Sequence, residues 1–337
     1  MTDIRPQNAK RPTIMEVARL AGVSHQTVSR YLRAEGGLKP ATRDSIERAV
    51  QQLNYRPNLV ARSMRTRRTG RLAVVMPRMT YDPARMVAGA SAAAAEAGFS
   101  IEVVSVNGAD ARKQRVLDLA DSGQVEGVLS LAPVSVRPGE LAGLNAPVVI
   151  SEDFDDDMRG VGMLADASPV VELVTHLAEQ GHRRFFHIGG ARHFASARAR
   201  AETFVHTVRR LGLDLVGVYD GDWSGESGIR AMHSLDEKDR PTAIIAANDV
   251  VAAGAVRGAF ERGWRVPADV SITGWDNHVL GQFALPSLTT VDVDLEGLGR
   301  NAMRRLIAAV RGEEAPAAEP LVNRIIWRES TGAPARP

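Results

Sequence analysis

Five hydrogen-bonding side chains crowd one short stretch near the N-terminus: His25, Gln26, Thr27, Ser29 and Arg30. Glutamine pairs bidentately with adenine and arginine with guanine, while serine and threonine hydroxyls reach phosphate oxygens. This set could therefore read DNA. A second group is scattered through the rest of the chain: Arg198, Arg200, Trp223, Asn248-Asp249 and Trp275-Asp276-Asn277. Amide, carboxylate and guanidinium groups bond pairs of hydroxyls, and an indole face stacks on ring C–H groups. Those types suit a neutral sugar. Each also has an ordinary use: Asn248-Asp249 can cap a helix, the tryptophans can be core, and the arginines can be solvated. Asn248-Asp249 and Trp275-Asp276-Asn277 follow predicted strands, Arg198 and Arg200 lie at a helix start, and Trp223 sits in a glycine-rich loop. Singly the ordinary use is favoured; convergence at strand ends shifts the balance to a binding cleft.

Signals for catalysis are weak. Gly160-Val-Gly162-Met-Leu-Ala165 matches a loose dinucleotide fingerprint, but it follows the acidic stretch Glu152-Asp153-Phe154-Asp155-Asp156-Asp157, a poor neighbour for a pyrophosphate. Ser224 and Ser227 fail the Gly-x-Ser-x-Gly pattern, because Ile229 stands where its last glycine belongs. His182, His187 and His193 lack compact metal-ligand spacing. The aspartate run lacks the alternation of a calcium loop, and a solvated loop is expected there. With no cysteine in the chain, thiolate chemistry and disulfides are excluded. No catalytic residue, cofactor or metal is expected.

The elements that must position these groups follow from periodicity. Thr13-Ile14-Met15-Glu16 forms a capping box, and Val17, Leu20 and Ala21 continue at helical spacing to Gly22. Ser24 caps a second helix, His25 to Leu32, with Val28 and Leu32 inward; a third runs from about Ala41 to Leu53. Two helices joined by a glycine-bearing turn make a helix-turn-helix. A plain three-helix bundle shares the pattern, but the polar N-terminal half of the second helix favours DNA. After Asn54-Tyr55-Arg56-Pro57-Asn58, the stretch Leu59–Met64 allows a helix of about two turns, too short to persist alone. Met64 could wedge between base steps, or the stretch could be a basic linker; composition does not decide.

From Leu72, short apolar runs alternate with amphipathic helices. Predicted strands are 72–76, 101–106, 127–131, 147–151, 185–188, 243–246 and 270–273; predicted helices are about 84–97, 111–122, 170–179, 196–210, 249–261 and 295–311. Alternation of this kind means parallel sheets, which bind ligands at the carboxyl ends of their strands. The expected fold is α/β: a helix-turn-helix head on residues 1–56, a hinge segment on 57–70, and a two-lobed body of parallel sheets. The first lobe takes 71–162 and about 293–322, the second 163–292 and about 323–332, with a cleft between.

The formal charge of +2 conceals a division. Residues 1–71 carry 15 basic and 5 acidic side chains, whereas the remaining 266 carry 27 and 35. A basic head on an acidic body assigns phosphate contact to the head alone. No apolar run reaches the ~18 residues a membrane span needs, and the polar N-terminus lacks the apolar core of a signal peptide; a cytoplasmic protein with no membrane partner is expected.

Thr-Ile-x-Glu-Val-Ala-x-x-Ala-Gly-Val-Ser-x-x-Thr-Val-Ser-Arg (13–30) and Asn-Tyr-x-Pro-Asn-x-x-Ala-Arg (54–62) resemble the lactose repressor (LacI/GalR) family of transcriptional regulators. The resemblance extends to about residue 330 through Ser196-Ala-Arg198-Ala-Arg200, Gly221-Asp-Trp-Ser224, Ala247-Asn-Asp249, Gly274-Trp-Asp276 and Leu285-Pro-Ser-Leu-Thr-Thr290, with the lactose-type branch most similar around Trp223. It implies a body like a periplasmic binding protein and base reading by His25, Gln26 and Arg30. It implies phosphate contacts from Thr13, Ser24, Thr27, Ser29 and Thr42, and minor-groove or hinge roles for Tyr55, Asn58, Ala61, Arg62 and Met64. Effector binding falls to Ser196, Arg200, Trp223, Asn248 and Asp276, joined from the first lobe by Asp153 or Glu152. Met64 stands where the family usually has leucine, and Val293 replaces a polar residue some relatives use. The partners implied are a palindromic operator, a galactoside or other glycoside as inducer, and a second copy of the chain; no leucine-heptad helix for tetramers follows Glu329. Two other readings are a purine-dependent corepressor system and, contradicted by the head, a transporter's solute-binding protein.

Overall fold

The computed structural model describes residues 12–32, 36–55, 68–77, 84–137, 139–156, 159–319 and 323–335. Of the expectations above, Asn58, Ala61, Arg62 and Met64 lie outside these residues, as does the helix at 59–64. The chain divides into two compact units, Met1–Thr69 and Gly70–Pro337.

The first unit is built of α1 (Ile14–Ala21), α2 (His25–Leu32) and α3 (Pro40–Gln52). The capping box at α1 forms as expected: Thr13 N–H donates to Glu16 Oε2 (2.6 Å), and Glu16 N–H donates to Thr13 Oγ1 (3.4 Å). Gly22 closes the helix at φ 67°, a left-handed conformation that glycine adopts without a Cβ penalty. Val17, Val28 and Ile46 meet in the core with Ala18, Ala21 and Ala49. The third helix starts one residue earlier than the periodicity suggested, because Pro40 occupies its first turn, where a missing N–H costs nothing.

In the second unit, β1 (Arg71–Met76), β2 (Ser100–Ser105), β3 (Gly127–Ser130) and β4 (Val148–Ile150) form an all-parallel sheet in the order β2-β1-β3-β4. A second parallel sheet holds β5 (Arg184–Ile188), β6 (Asp214–Tyr219), β7 (Ala243–Ala246) and β8 (Ser271–Thr273) in the order β6-β5-β7-β8. Helices α4 (Ala84–Glu96) and α5 (Ala109–Asp121) serve the first lobe. Helices α6 (Ser168–Glu179), α7 (Ala195–Arg210), α8 (Gly225–His233) and α9 (Asp249–Glu261) serve the second. β9 (Thr290–Asp292) pairs antiparallel with β10 (Arg324–Ile326), and between them α10 (Leu295–Arg311) returns to the first lobe. There Leu298, Met303, Leu306 and Ile307 join the core of Leu72, Val74 and Leu129.

The reading of the sequence missed β6, α8 and the β9/β10 pair. β6 is an edge strand whose side chains are mostly half-buried, so it lacks a clear apolar alternation. α8 contains two glycines and a serine in nine residues, a poor helix composition. Its glycines serve packing: α8 and α9 approach so closely that a Cβ on Gly228 would run into Val251 O, and one on Gly254 into Gly225 O. Gly254→Ala should therefore destabilise the body by about 1–3 kcal/mol or more, the usual cost of overpacking. Urea unfolding checks this, and an unchanged midpoint would mean the helix pair separates freely.

Candidate functional site

On the head, Ser24, His25, Gln26 and Arg30 are exposed, while Thr27, Ser29 and Thr42 are half-buried. Ser24 caps α2 by accepting from Thr27 N–H at 3.2 Å, and the two hydroxyls lie 2.9 Å apart. The N-terminal half of α2 thus presents His25 and Gln26 to solvent beside capping hydroxyls. Arg30 donates through Nη2 to Gly36 O at 3.1 Å, so its guanidinium must share or leave that bond to reach a base. Thr13 is exposed but engaged in its cap. Tyr55, assigned by resemblance to the hinge, packs on the edge of the head's own core, where burial pushes its phenol above the ordinary value.

In the body, four adjacent strands of the second sheet deliver their carboxyl ends to one place. β5 leads to Gly189-Gly190, β6 to Trp223, β7 to Ala247-Asn248 and β8 to Trp275-Asp276. Three non-glycine residues there hold positive φ: Trp223 at 69°, Asp276 at 98° and Asn277 at 51°. Backbone strain of this kind clusters at ligand sites, because surrounding structure must enforce it. Arg200, 6% exposed on α7, donates through Nη1 to Ala247 O at 2.5 Å. Its guanidinium carbon lies 3.9 Å from the Trp275 ring centroid and 5.9 Å from that of Trp223. Ser196 is buried one turn before it. Among the described residues the indole N–H groups of Trp223 and Trp275 are buried without a hydrogen-bond partner, donors that an acceptor-bearing ligand would satisfy.

Three expectations change. Asn248 is fully buried and spends Oδ1 on capping α9, accepting from Val251 N–H at 2.8 Å; its ordinary structural use holds for that atom. Trp275 is core, 1% exposed beneath Arg200. The acidic stretch is not simply solvated: Asp156 pairs with the buried guanidinium of Arg112, which also donates to Pro133 O at 2.8 Å. Asp153 follows β4 on the first lobe, where its carboxylate accepts from Ser151 Oγ at 2.7 Å. Among the described residues no strand runs directly into Gly160, β4 ending at Ile150, and the segment after it is a short 3₁₀ turn, Gly162–Ala165, so the loose fingerprint lacks its strand and helix.

Two neighbours of this site were missed. Arg159, next to the acidic run, lies over Trp223 with its guanidinium carbon 4.5 Å from the ring centroid, and Phe194 meets the indole edge-on at 6.2 Å. Asp249, expected as part of the polar pair, is buried and accepts from Thr290 Oγ1 and His278 N–H, both at 2.6 Å. Burial raises its carboxyl to about 7, with Asp276 nearby acting in the same direction.

Residues 13–58 match the family model for bacterial regulatory proteins of the lacI family, and residues 174–331 match that for a periplasmic binding protein-like domain. The lactose operon repressor of Escherichia coli (strain K12) is 30% identical over 332 residues, covering 96% of this chain and 92% of that one. The chain belongs to the LacI family. Among solved structures, the Lac repressor dimer bound to operator and the anti-inducer ONPF superposes with a TM-score of 0.72 at 29% identity, over 96% of this chain and all of that one. A complex of the transcriptional regulator CelR with cellobiose gives 0.60 at 28% identity, over 95% and 100%. This LacI-family protein is thus a DNA-binding transcriptional regulator, with a helix-turn-helix head and a body of the periplasmic-binding-protein type. Among the described residues no helix is long and apolar enough to cross a membrane.

Proposed function

We propose that this LacI-family protein is a homodimeric, cytoplasmic repressor that binds a palindromic operator and releases it when a small neutral glycoside enters the cleft of the body. The observation that carries this reading is the convergence of Arg200, Trp223, Asn248 and Asp276 at the carboxyl ends of adjacent parallel strands. Asp276 and Arg200 supply acceptor and donor for hydroxyl pairs, and the two buried indole N–H groups seek acceptors. Val293 is buried among apolar neighbours and adds no polar contact. A relative whose structure holds cellobiose supports a sugar effector.

Self-association is supported by exposed apolar side chains on one segment of the second lobe: Val279, Leu280, Phe283 and Leu285, the last 91% exposed. Covering such a patch is favourable by the usual area rule. Two heads related by a twofold axis require a palindromic site. A coupling of about 1–3 kcal/mol between effector and operator, roughly 5–150-fold in affinity, is typical of such switches.

The test has two stages. Selection from a random DNA library yields a site, and fluorescence anisotropy then follows its binding across galactosides, glucosides and purines. A sugar that weakens binding supports the reading. A purine that strengthens it establishes a corepressor instead, and no effect from any compound removes the effector assignment. In the same assay Arg30→Ala should cost about 1–3 kcal/mol and relax one base position. Equal weakening on every sequence would make Arg30 a phosphate contact.

A further inference from the structure

Trp223 has little surface left for a ligand. Gly190 lies so close that a Cβ there would run into the indole ring, Phe194 stands edge-on to it, and the Arg159 guanidinium lies over it. Only 7% of the residue is exposed. The side chain that covers it comes from the other lobe. Arg159 belongs to a loop following β4, and that loop is tied to the first lobe at several points. Phe154 is in the first lobe's core and bridges to Gly160, and Asp155 N–H donates to Arg159 O (3.0 Å). Asp155 Oδ1 accepts from Arg159 N–H (2.8 Å), and Asp156 pairs with Arg112 of α5. Trp223, Phe194, Ala197 and Ala247 form one cluster of the second lobe. The guanidinium, 4.5 Å from the Trp223 centroid and 5.4 Å from that of Phe194, therefore crosses the cleft from a braced loop.

We propose that Arg159 is a built-in competitor for the aromatic part of the effector site. A ring reaches the Trp223 face only by displacing the guanidinium, so Arg159 sets effector affinity, and ligand entry breaks a contact between the lobes. This rests on reading the cleft as the effector site. The physical basis is exchange: a cation over an indole face and a sugar C–H face over the same indole are alternatives, and a partly buried cation–π contact is comparable in strength to what stacking returns. The displaced guanidinium carries only donors, so it favours ligands rich in acceptor oxygens. Lysine at this position also places a cation near the ring, but without the flat group that stacks on it.

The full chain labelled with 5-fluorotryptophan gives four fluorine signals, one per indole, and Trp223→Phe identifies the relevant one. In Arg159→Ala without ligand, the Trp223 signal should move and acquire a solvent isotope shift, while the Trp264 signal stays. Titration with methyl β-D-galactopyranoside and with cellobiose should then show roughly three- to tenfold tighter binding of whichever sugar binds the parent, with Arg159→Lys in between. An unmoved Trp223 signal overturns the proposal. So does an Arg159→Ala protein that loses sugar affinity as Arg200→Ala does, which would make Arg159 a direct ligand contact. The fluorine measurement needs no effector, so its failure strikes Arg159 alone. Failure of every sugar to bind a protein whose Trp223 has been uncovered strikes the sugar reading.

Discussion

Replacing Arg200 by alanine should abolish the response of operator binding to effector while the head still binds DNA. The guanidinium is buried, donates to Ala247 O, and stacks on Trp275, so it is held at a fixed place beside the carboxyl end of β7. A positioned charged donor to a ligand oxygen is worth more than a neutral one, about 1.5–3 kcal/mol. Its loss should weaken effector affinity by about ten- to more than a hundredfold. Truncation also leaves a cavity between two tryptophans, so Arg200→Met, which retains most of the side-chain volume, serves as the companion variant. Isothermal titration reads effector affinity, and anisotropy with labelled operator reads the head. Loss of operator binding in Arg200→Met, with the protein still folded, would mean the residue acts on the head rather than on a ligand.

The second large effect concerns pH. Asp249 has its carboxyl raised from 3.8 to about 7 by burial, despite the two hydrogen bonds it accepts and the favourable charge of Arg328. A raised carboxyl means the folded state prefers the protonated form. Its contribution to stability is complete below about pH 4, where folded and unfolded chains are both protonated. Stability declines as pH rises toward 7, because the unfolded chain ionises first, and levels off once the folded carboxyl ionises as well. At 1.36 kcal/mol per pKa unit the loss is at most about 4 kcal/mol. Asp249→Asn should remove most of it. The amide oxygen can accept from His278 N–H while its NH₂ turns toward the Thr290 hydroxyl, which can accept as well as donate. Urea midpoints at pH 5 and pH 8 for both proteins check this. The parent should lose stability over the interval and the variant much less; equal losses would place the titration elsewhere.

The helix-turn-helix was legible because its signals are local. A capping box, a turn glycine and apolar positions three and four apart lie within twenty residues, and each acts through the backbone beside it. The buried strands of both sheets were legible for the same reason, as continuous apolar runs bounded by polar turns. β6 escaped because an edge strand is only half-buried, and α8 because its glycines answer to the approach of α9 rather than to helix propensity. The site was partly legible. Asn248 and Asp276 lie at the ends of strands the sequence predicts, whereas Arg200 reaches them from α7 and Trp223 follows β6, which the sequence did not reveal. Packing decided which of the ordinary uses hold: Asn248 caps α9 with Oδ1, and Trp275 sits in the core beneath Arg200.

Arg159 is the sharpest case. In the sequence it adjoins an acidic run for which a solvated loop is expected. In the fold, the Phe154–Gly160 bridge and the Arg112–Asp156 pair hold its loop so that the guanidinium rests on an indole of the opposite lobe. The sequence by itself determined the helix-turn-helix head, the buried strands of the two parallel sheets and the family, since each depends on periodicity or on a short, contiguous motif. The tertiary structure alone decided which of those cleft groups are already occupied, which carboxyl is desolvated enough to titrate near neutrality, and which cation covers Trp223. Those outcomes depend on distances between residues remote in the chain, which packing sets and local pattern does not encode.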